Sequence, residues 1–186
     1  AKHFKTSVSL IYQGQTGSPF NVCYYGDVNT DGGTGNDLIF IPTDAQIDAM
    51  DFKATSALTA DQQRADLKAF LSGARYLKDH RGEYFERNSA NMPFEHHFDL
   101  RIAQDYKFKV GERMHKLQLT FDIMNVGNLL NREWGVEHYL SNNSYSPITY
   151  SGSGKYQYTY GADYDPFSIS DFYSRWRAQI GLKYTF

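Results

Sequence analysis

Asp27, Asn29 and Asp31, followed by Gly32, set side-chain oxygens at alternate positions, as a loop does when it wraps a hard cation such as calcium. At the twelfth position, where a bidentate Glu closes a calcium loop of the helix-loop-helix kind, stands Leu38, with Asp37 beside it. Asp27, Asn29, Asp31 and Asp37 are thus the expected ligands if the loop takes calcium, and a surface loop rich in Asx turns is the alternative that the same residues satisfy. His96 and His97 are also metal-ligand types, but neighbours in a strand point to opposite faces, so a place at the rim of a sheet suits them better. No nucleophile, base and orienting carboxylate fall into a recognisable motif, and no glycine-rich phosphate loop opens a helix, so no catalytic residue is expected and the chain reads as a non-enzyme. The stretch from Tyr145 to Tyr164, with Gly152, Ser153 and Gly154, makes a Tyr-rich polar loop. Its Tyr156, Tyr158 and Tyr160 could stack on sugars or peptides and are expected to be ordinary surface.

Whatever these loops do, regular elements must hold them. With 15 Tyr, 13 Phe and 2 Trp the chain is 16% aromatic, yet 22% is charged and the mean hydropathy is −0.58. That mixture suits strands with one apolar and one polar face. Four segments alternate strictly, at about 3–13, 97–110, 113–126 and 174–186. In the last, Trp176, Ala178, Ile180, Leu182, Tyr184 and Phe186 share one face, while Arg175, Arg177 and Lys183 lie on the other. Pairing Val110 with Arg113 leaves Gly111-Glu112 as a type II′ hairpin turn and sets Tyr106 opposite Leu117, Ile102 opposite Phe121 and Leu100 opposite Ile123. The intervening stretches, about 14–95 and 127–173, read as long loops. One short helix is expected in the first, capped by Thr59 and Gln62, striped by Leu67, Phe70, Leu71 and Ala74, and stopped near Gly73.

The strands run more than ten residues, long for a soluble sheet and enough for a tilted strand to cross hydrocarbon. Aromatics stand near their ends on the apolar side: Phe4 and Tyr12, Phe98 with Tyr106 and Phe108, and Trp176 with Tyr184 and Phe186. Such girdles belong at membrane interfaces, and connections that alternate long, short and long match extracellular loops and periplasmic turns. The fold class expected is therefore all-β, an antiparallel transmembrane β-barrel segment with long extracellular loops, forming a single domain over residues 1–186. Arg101, Lys107, Asp122, Arg175, Arg177 and Lys183 would line the lumen, and Ala1 and Phe186 would end in the periplasm. Four strands cannot close, so further strands must come from elsewhere. No run approaches eighteen apolar residues, which excludes a transmembrane helix. A net charge of −2 with no basic stripe gives no reason to expect nucleic acid, and the single Cys23 permits no intrachain disulfide.

The run FDLRIAQDYKFKVGERMHKLQLTFDIMNVGNLLNREWG from Phe98 to Gly135, the segments GQTGSPF and DVNTDGGTGNDLIFIP between Gly14 and Pro42, and the ending RWRAQIGLKYTF resemble the C-terminal strands of TonB-dependent outer-membrane receptors, of the Oar-like or SusC-like Bacteroidota type. The resemblance implies the last four strands of a 22-stranded barrel in a Gram-negative outer membrane, filled by a plug and importing a scarce solute with energy passed through TonB. It implies as partners the remainder of the barrel and the plug, TonB, outer-membrane lipid, a surface lipoprotein and the barrel-assembly machinery, whose signal Tyr184 and Phe186 would supply. Two other readings stay open: a soluble or surface-exposed β-domain binding calcium and glycan, and an outer-membrane barrel that does not use TonB.

Overall fold

The computed structural model describes residues 3–152, 154–158 and 166–186; the expectations on Ala1, Ser153, Tyr160 and Tyr164 fall outside them. The protein is mostly β, with 44% strand and 21% helix; among the described residues the strands form four small sheets, none closed into a barrel. In chain order come β1 (Phe4–Gln15), β2 (Pro19–Tyr25), β3 (Phe40–Ile41), α1 (Asp44–Ala49), α2 (Ala60–Gly73), α3 (Arg75–Asp79), β4 (Glu83–Tyr84), β5 (Ala90–Asn91) and β6 (Glu95–Val110). After the hairpin follow β7 (Arg113–Met124), α4 (Val126–Leu130), β8 (His138–Tyr139), β9 (Ser144–Tyr150), β10 (Tyr156–Tyr158), β11 (Ser168–Ile169), α5 (Asp171–Ser174) and β12 (Arg177–Thr185). The chain divides into two compact units.

The first unit comprises 1–17, 93–138 and 169–186 and is built on the antiparallel sheet β1-β6-β7-β12. Its hairpin has the register that the hydrophobic pattern demands, with Val110 opposite Arg113, Tyr106 opposite Leu117, Ile102 opposite Phe121 and Leu100 opposite Ile123. Gly111 sits at φ 63° while Glu112 keeps a negative φ, the signature of a type II′ turn whose twist matches the strands. At the far end of β7 the chain is turned by Asn125, left-handed at φ 54°. Asn125 is buried and ties three segments together: its backbone N–H donates to Asp99 Oδ1 (2.8 Å), and its Nδ2 donates to Gly135 O (2.8 Å) and Ser174 O (2.7 Å). Gly135, at φ 60°, must be glycine here, because a Cβ would collide with Asn125 Oδ1.

That knot corrects the last strand. Ser174 belongs to α5, and Arg175 donates to Asp171 Oδ1 at 2.7 Å, so β12 starts only at Arg177, leaving Arg175 and Trp176 ahead of it. Likewise β1 and β6 run longer than their alternation suggests, to Gln15 and from Glu95, because Gln13, Gly14 and Gln15 go on pairing with His97, His96 and Glu95. β7 stops at Met124, where Asn125 bends the chain away.

The second unit, 18–92 with 139–168, is where the two long connections turn out not to be plain loops. They fold into one body around a mixed sheet β10-β9-β2-β5, in which β2 and β9 run parallel, Asn21 opposite Ser144 and Tyr25 opposite Thr149, with a slip between Val22 and Tyr24. Val22, Ile39, Ile41, Ile47, Leu67 and Leu71 form the heart of its core. The expected helix is α2: Thr59 Oγ1 accepts from Gln62 N–H, and the Gln62 side chain accepts from Thr59 N–H. Leu67 and Leu71 are fully buried, with Phe70 and Ala74 packed partly against the same core. Gly73 ends the helix without a left-handed cap, since its φ is not positive. One short helix is too few, because α1 and α3 share the first connection and α4 and α5 lie in the second. α1 carries the same capping box, Thr43 with Gln46, and buries Ile47. Gln63 is buried on the inner face of α2, where its Nε2 donates to Lys53 O (2.8 Å) and its Oε1 accepts from Tyr158 N–H (2.7 Å).

Candidate functional site

The four-stranded sheet sorts its side chains cleanly by face. Phe4, Val8, Leu10 and Tyr12 of β1 share one side with Phe98, Leu100, Ile102 and Tyr106 of β6, with Leu117, Leu119 and Phe121 of β7, and with Ile180, Leu182 and Tyr184 of β12, as the register requires. The aromatics fall into two rows across the strands. Phe4 stacks on Tyr106 with ring centres 4.7 Å apart, Tyr106 on Phe108 at 5.4 Å, and Phe108 lies 6.4 Å from Tyr184. At the other end Tyr12 packs on Phe98 at 4.9 Å, and Trp176 stands just ahead of β12. Phe4 and Tyr12, Tyr106 and Phe98, and Tyr184 and Trp176 are each eight positions apart, roughly 26 Å of extended strand at about 3.3 Å per residue. Between the rows the face is apolar and uncovered: Val8 is 65% exposed, Ile180 72% and Leu182 71%. Its one polar interruption, Thr6 beside Gln104, satisfies itself, the hydroxyl donating to the amide oxygen.

Of the residues expected on the polar side, Arg101 pairs with Asp122 at 3.5 Å, and Lys107 stands opposite Lys116. Lys183 stands opposite Gln118, and Arg177 opens β12 with its guanidinium 4.9 Å over the Phe172 ring. Arg175 is not on the strand and is engaged by Asp171 instead. Asp105, not among the residues expected to line the lumen, is the anionic centre of this face, accepting from Lys116 (2.8 Å) and Gln118 Nε2 (2.7 Å). Its alternation with Lys107 was the signal available. The Tyr184 hydroxyl meets His115 Nδ1, and Phe186 stands 81% exposed beyond the end of β12. His96 and His97 diverge as neighbours in a strand must: His96 meets the Tyr12 hydroxyl at 2.9 Å, while His97 Nε2 lies 4.0 Å from Glu95 Oε2.

In the second unit, Asp27, Asn29, Asp31 and Asp37 do converge, and backbone amides occupy their oxygens. Asp31 N–H donates to Asp27 Oδ1 (3.0 Å) and Asn29 Oδ1 (2.9 Å), and Gly32 N–H to Asp27 Oδ2 (2.9 Å). Gly33 N–H donates to Asp31 Oδ1 (2.7 Å), while Asp37 Oδ2 accepts from Val28 N–H (2.7 Å) and Asn29 N–H (3.2 Å). The arrangement is a run of Asx turns, each carboxylate capping donors two to nine positions away. The Gly33 amide, then the Asn29 side chain, hold the Asp31 carboxyl below its ordinary range. Among the described residues no three His, Cys, Asp or Glu side chains group as a metal centre.

Clefts open among the described residues of the same unit, two of them walled by aromatics. The larger, about 840 Å³, is walled by Phe20, Phe70, Tyr76, Leu77, Tyr145 and Phe167. The smaller, about 470 Å³, is bordered by Tyr24, Phe40, Tyr84 and Tyr156. Burial, and then the neighbouring Tyr156, push the Tyr24 phenol up to about 12, so it stays a neutral hydrogen-bonding group. Tyr158, expected on the surface, is a fully buried core residue of β10. No described helix is long and apolar enough to cross a membrane, a fact that leaves strands untouched. No family model, curated protein or solved structure matches the chain.

Proposed function

We propose that the chain supplies the last strands of a transmembrane β-barrel in a bacterial outer membrane, and that the barrel is a TonB-dependent receptor importing a scarce solute. The observation that carries the first part is the uncovered apolar face of β1-β6-β7-β12 between its two aromatic rows. Phe4 to Tyr12 is nine residues, within the nine to eleven that a tilted strand needs to cross hydrocarbon. In water such a face is a liability, and in lipid it is the solvated state. The free edges of β1 and β12 call for partner strands, since unpaired backbone groups cost several kcal/mol each, roughly, within a bilayer. The second part rests on the resemblance of Phe98 to Gly135 and of the ending RWRAQIGLKYTF.

On this reading the Gly111-Glu112 turn and Phe186 face the periplasm, where Tyr184 and Phe186 serve barrel assembly. The second unit lies outside the cell, its clefts available to incoming solute, with no catalytic role. Fractionating cells that make the full-length protein tests the first part: it is expected in the outer membrane, extracted only by detergent and migrating faster on gels before heating than after. A protein soluble without detergent would end the barrel reading. Retention of the detergent-solubilised protein on the immobilised periplasmic domain of TonB tests the second part, and lack of retention would leave a barrel that is not a TonB receptor.

A further inference from the structure

We propose that the larger cleft of the second unit binds a short zwitterionic peptide with an aromatic side chain. At about 840 Å³ the cleft is of the size that takes a small ligand. Its lining comes from β2 and β5, from the corner between α2 and α3, and from β9 and Phe167. Two aromatic pairs stand in it edge to face: Phe20 with Phe167, ring centres 5.5 Å apart at 78°, and Phe70 with Tyr145, 5.8 Å apart at 72°. Where α2 ends, the lining is Ala69 and Gly73, which helical spacing puts on one side of the helix. A Cβ on Gly73 would meet nothing within 4 Å. Open space between aromatic rings and bare helix backbone admits a flat apolar group.

The charges come from α3. Arg75 and Asp79, its first and last residues, both line the cleft one helical turn apart. Both are exposed, and among the described residues neither makes an ion pair. Their order accounts for this, because a cation four positions ahead of an anion is the weaker arrangement on a helix. The opposite order, Asp171 four positions ahead of Arg175, does pair, at 2.7 Å. The β-carbons of such neighbours lie about 5–6 Å apart, and the ends of an extended dipeptide about 7 Å apart. One peptide can therefore set its carboxylate on Arg75 and its ammonium on Asp79 while its ring enters between the aromatic pairs. Asn91, exposed on the same lining, offers an amide to the peptide bond. A neutral glycan would leave both charges without a counterpart, and three of the four paired rings are phenyl groups with no hydroxyl to offer it.

As the solute to be imported, the peptide rests on the receptor reading; as a ligand of this cleft it does not. Glycyl-phenylalanine titrated against the detergent-solubilised full-length protein, followed by ligand-observed NMR, tests the binding. Saturable binding is expected, with the ring protons in closest contact. Amidating the peptide's carboxyl should weaken it roughly tenfold, as should acetylating its amine, each removing a hydrogen bond between charged groups. Arg75→Gln should erase the difference between the free and amidated peptides, and Asp79→Asn the difference between the free and acetylated ones. Gly73→Trp should abolish binding by filling the cleft. Its backbone is not left-handed, so the helix accepts the side chain, and unchanged amide protection in α2 would show it.

Absence of saturable binding would overturn the proposal, since the cleft is then closed by other parts of the full-length protein. So would binding that survives Gly73→Trp, a doubly capped peptide that binds as well as the free one, or displacement of the peptide by maltotriose. Binding by a protein that is not retained on TonB would keep the site and remove the import reading, whereas a retained protein without binding would do the reverse.

Discussion

Ile180 in β12 and Ile47 in α1 are the same side chain in opposite surroundings, the first 72% exposed and the second fully buried. Around Ile47 the second unit has gathered Ile39, Ile41, Leu67 and Leu71 and closed over them. Around Ile180 the sheet has gathered neighbours of equal apolarity, Val8, Ile102 and Phe121 in one register row, and closed over nothing. Burying one such side chain is worth about 1.5–3 kcal/mol, so the two regions draw on the hydrophobic effect by different routes. One internalises its apolar surface, and the other leaves it to an external phase.

The contrast is open to attack from both sides. Ile47→Ala is expected to cost the second unit about 2–5 kcal/mol, through lost transfer energy and the cavity left behind. Hydrogen exchange should show it as faster exchange throughout α1 and α2, with the amides of β6 and β7 unchanged. Ile180→Arg stands in the middle row between the two aromatic belts. If that row meets lipid, the charge should cost about 2–4 kcal/mol, measured by urea titration of the full-length protein folded into vesicles. A change within about 0.5 kcal/mol is what a water-facing position gives, and would collapse the comparison. Thr59→Ala removes the cap of α2 and should cost about 1 kcal/mol, seen as fraying of its first turn in hydrogen exchange.

The smallest effect belongs to pH. Because Asp31 is held below its unfolded value of about 3.9, its contribution is fully present above that pH and disappears as pH falls through the lower folded value. The Gly33 amide resonance should report a transition in that acid window, absent in Asp31→Asn.

The sheet could be read ahead of the structure because period two, a II′ turn and same-face pairing all speak through neighbouring residues. Register from Leu100 to Ile123 follows from the Gly111 turn alone. α2 was legible for a similar reason, a local capping box, and α1 displays the identical Thr-x-x-Gln signal at Thr43 but is only six residues long, too short to build an amphipathic stripe. The core of the second unit escaped because its contacts are non-local: nothing near Tyr158 announces that Gln63 will receive its amide. The start of β12 was misjudged for the same reason, since alternation runs unbroken through Arg175 while the Asn125 knot, made by distant residues, decides where the strand begins. At Asp27 the sequence supplied the right cluster, and the hydrogen bonds show what occupies those oxygens.

The parallel pairing of β2 with β9 has a temporal meaning. Asn21 and Ser144 are separated by more than a hundred residues, and the β6–β7 hairpin lies between them. Closing so long a loop from an open chain is entropically slow, whereas β1 and β7 already zipped onto β6 shorten the effective tether to a few dozen residues, in rough terms. The second unit is then a late product, completed only after the strands of the first have met. Neither half of it, cut out alone, holds both strands of its central pair, so a nascent chain stalled before Ser144 should display an unfinished, protease-sensitive first half however long it waits.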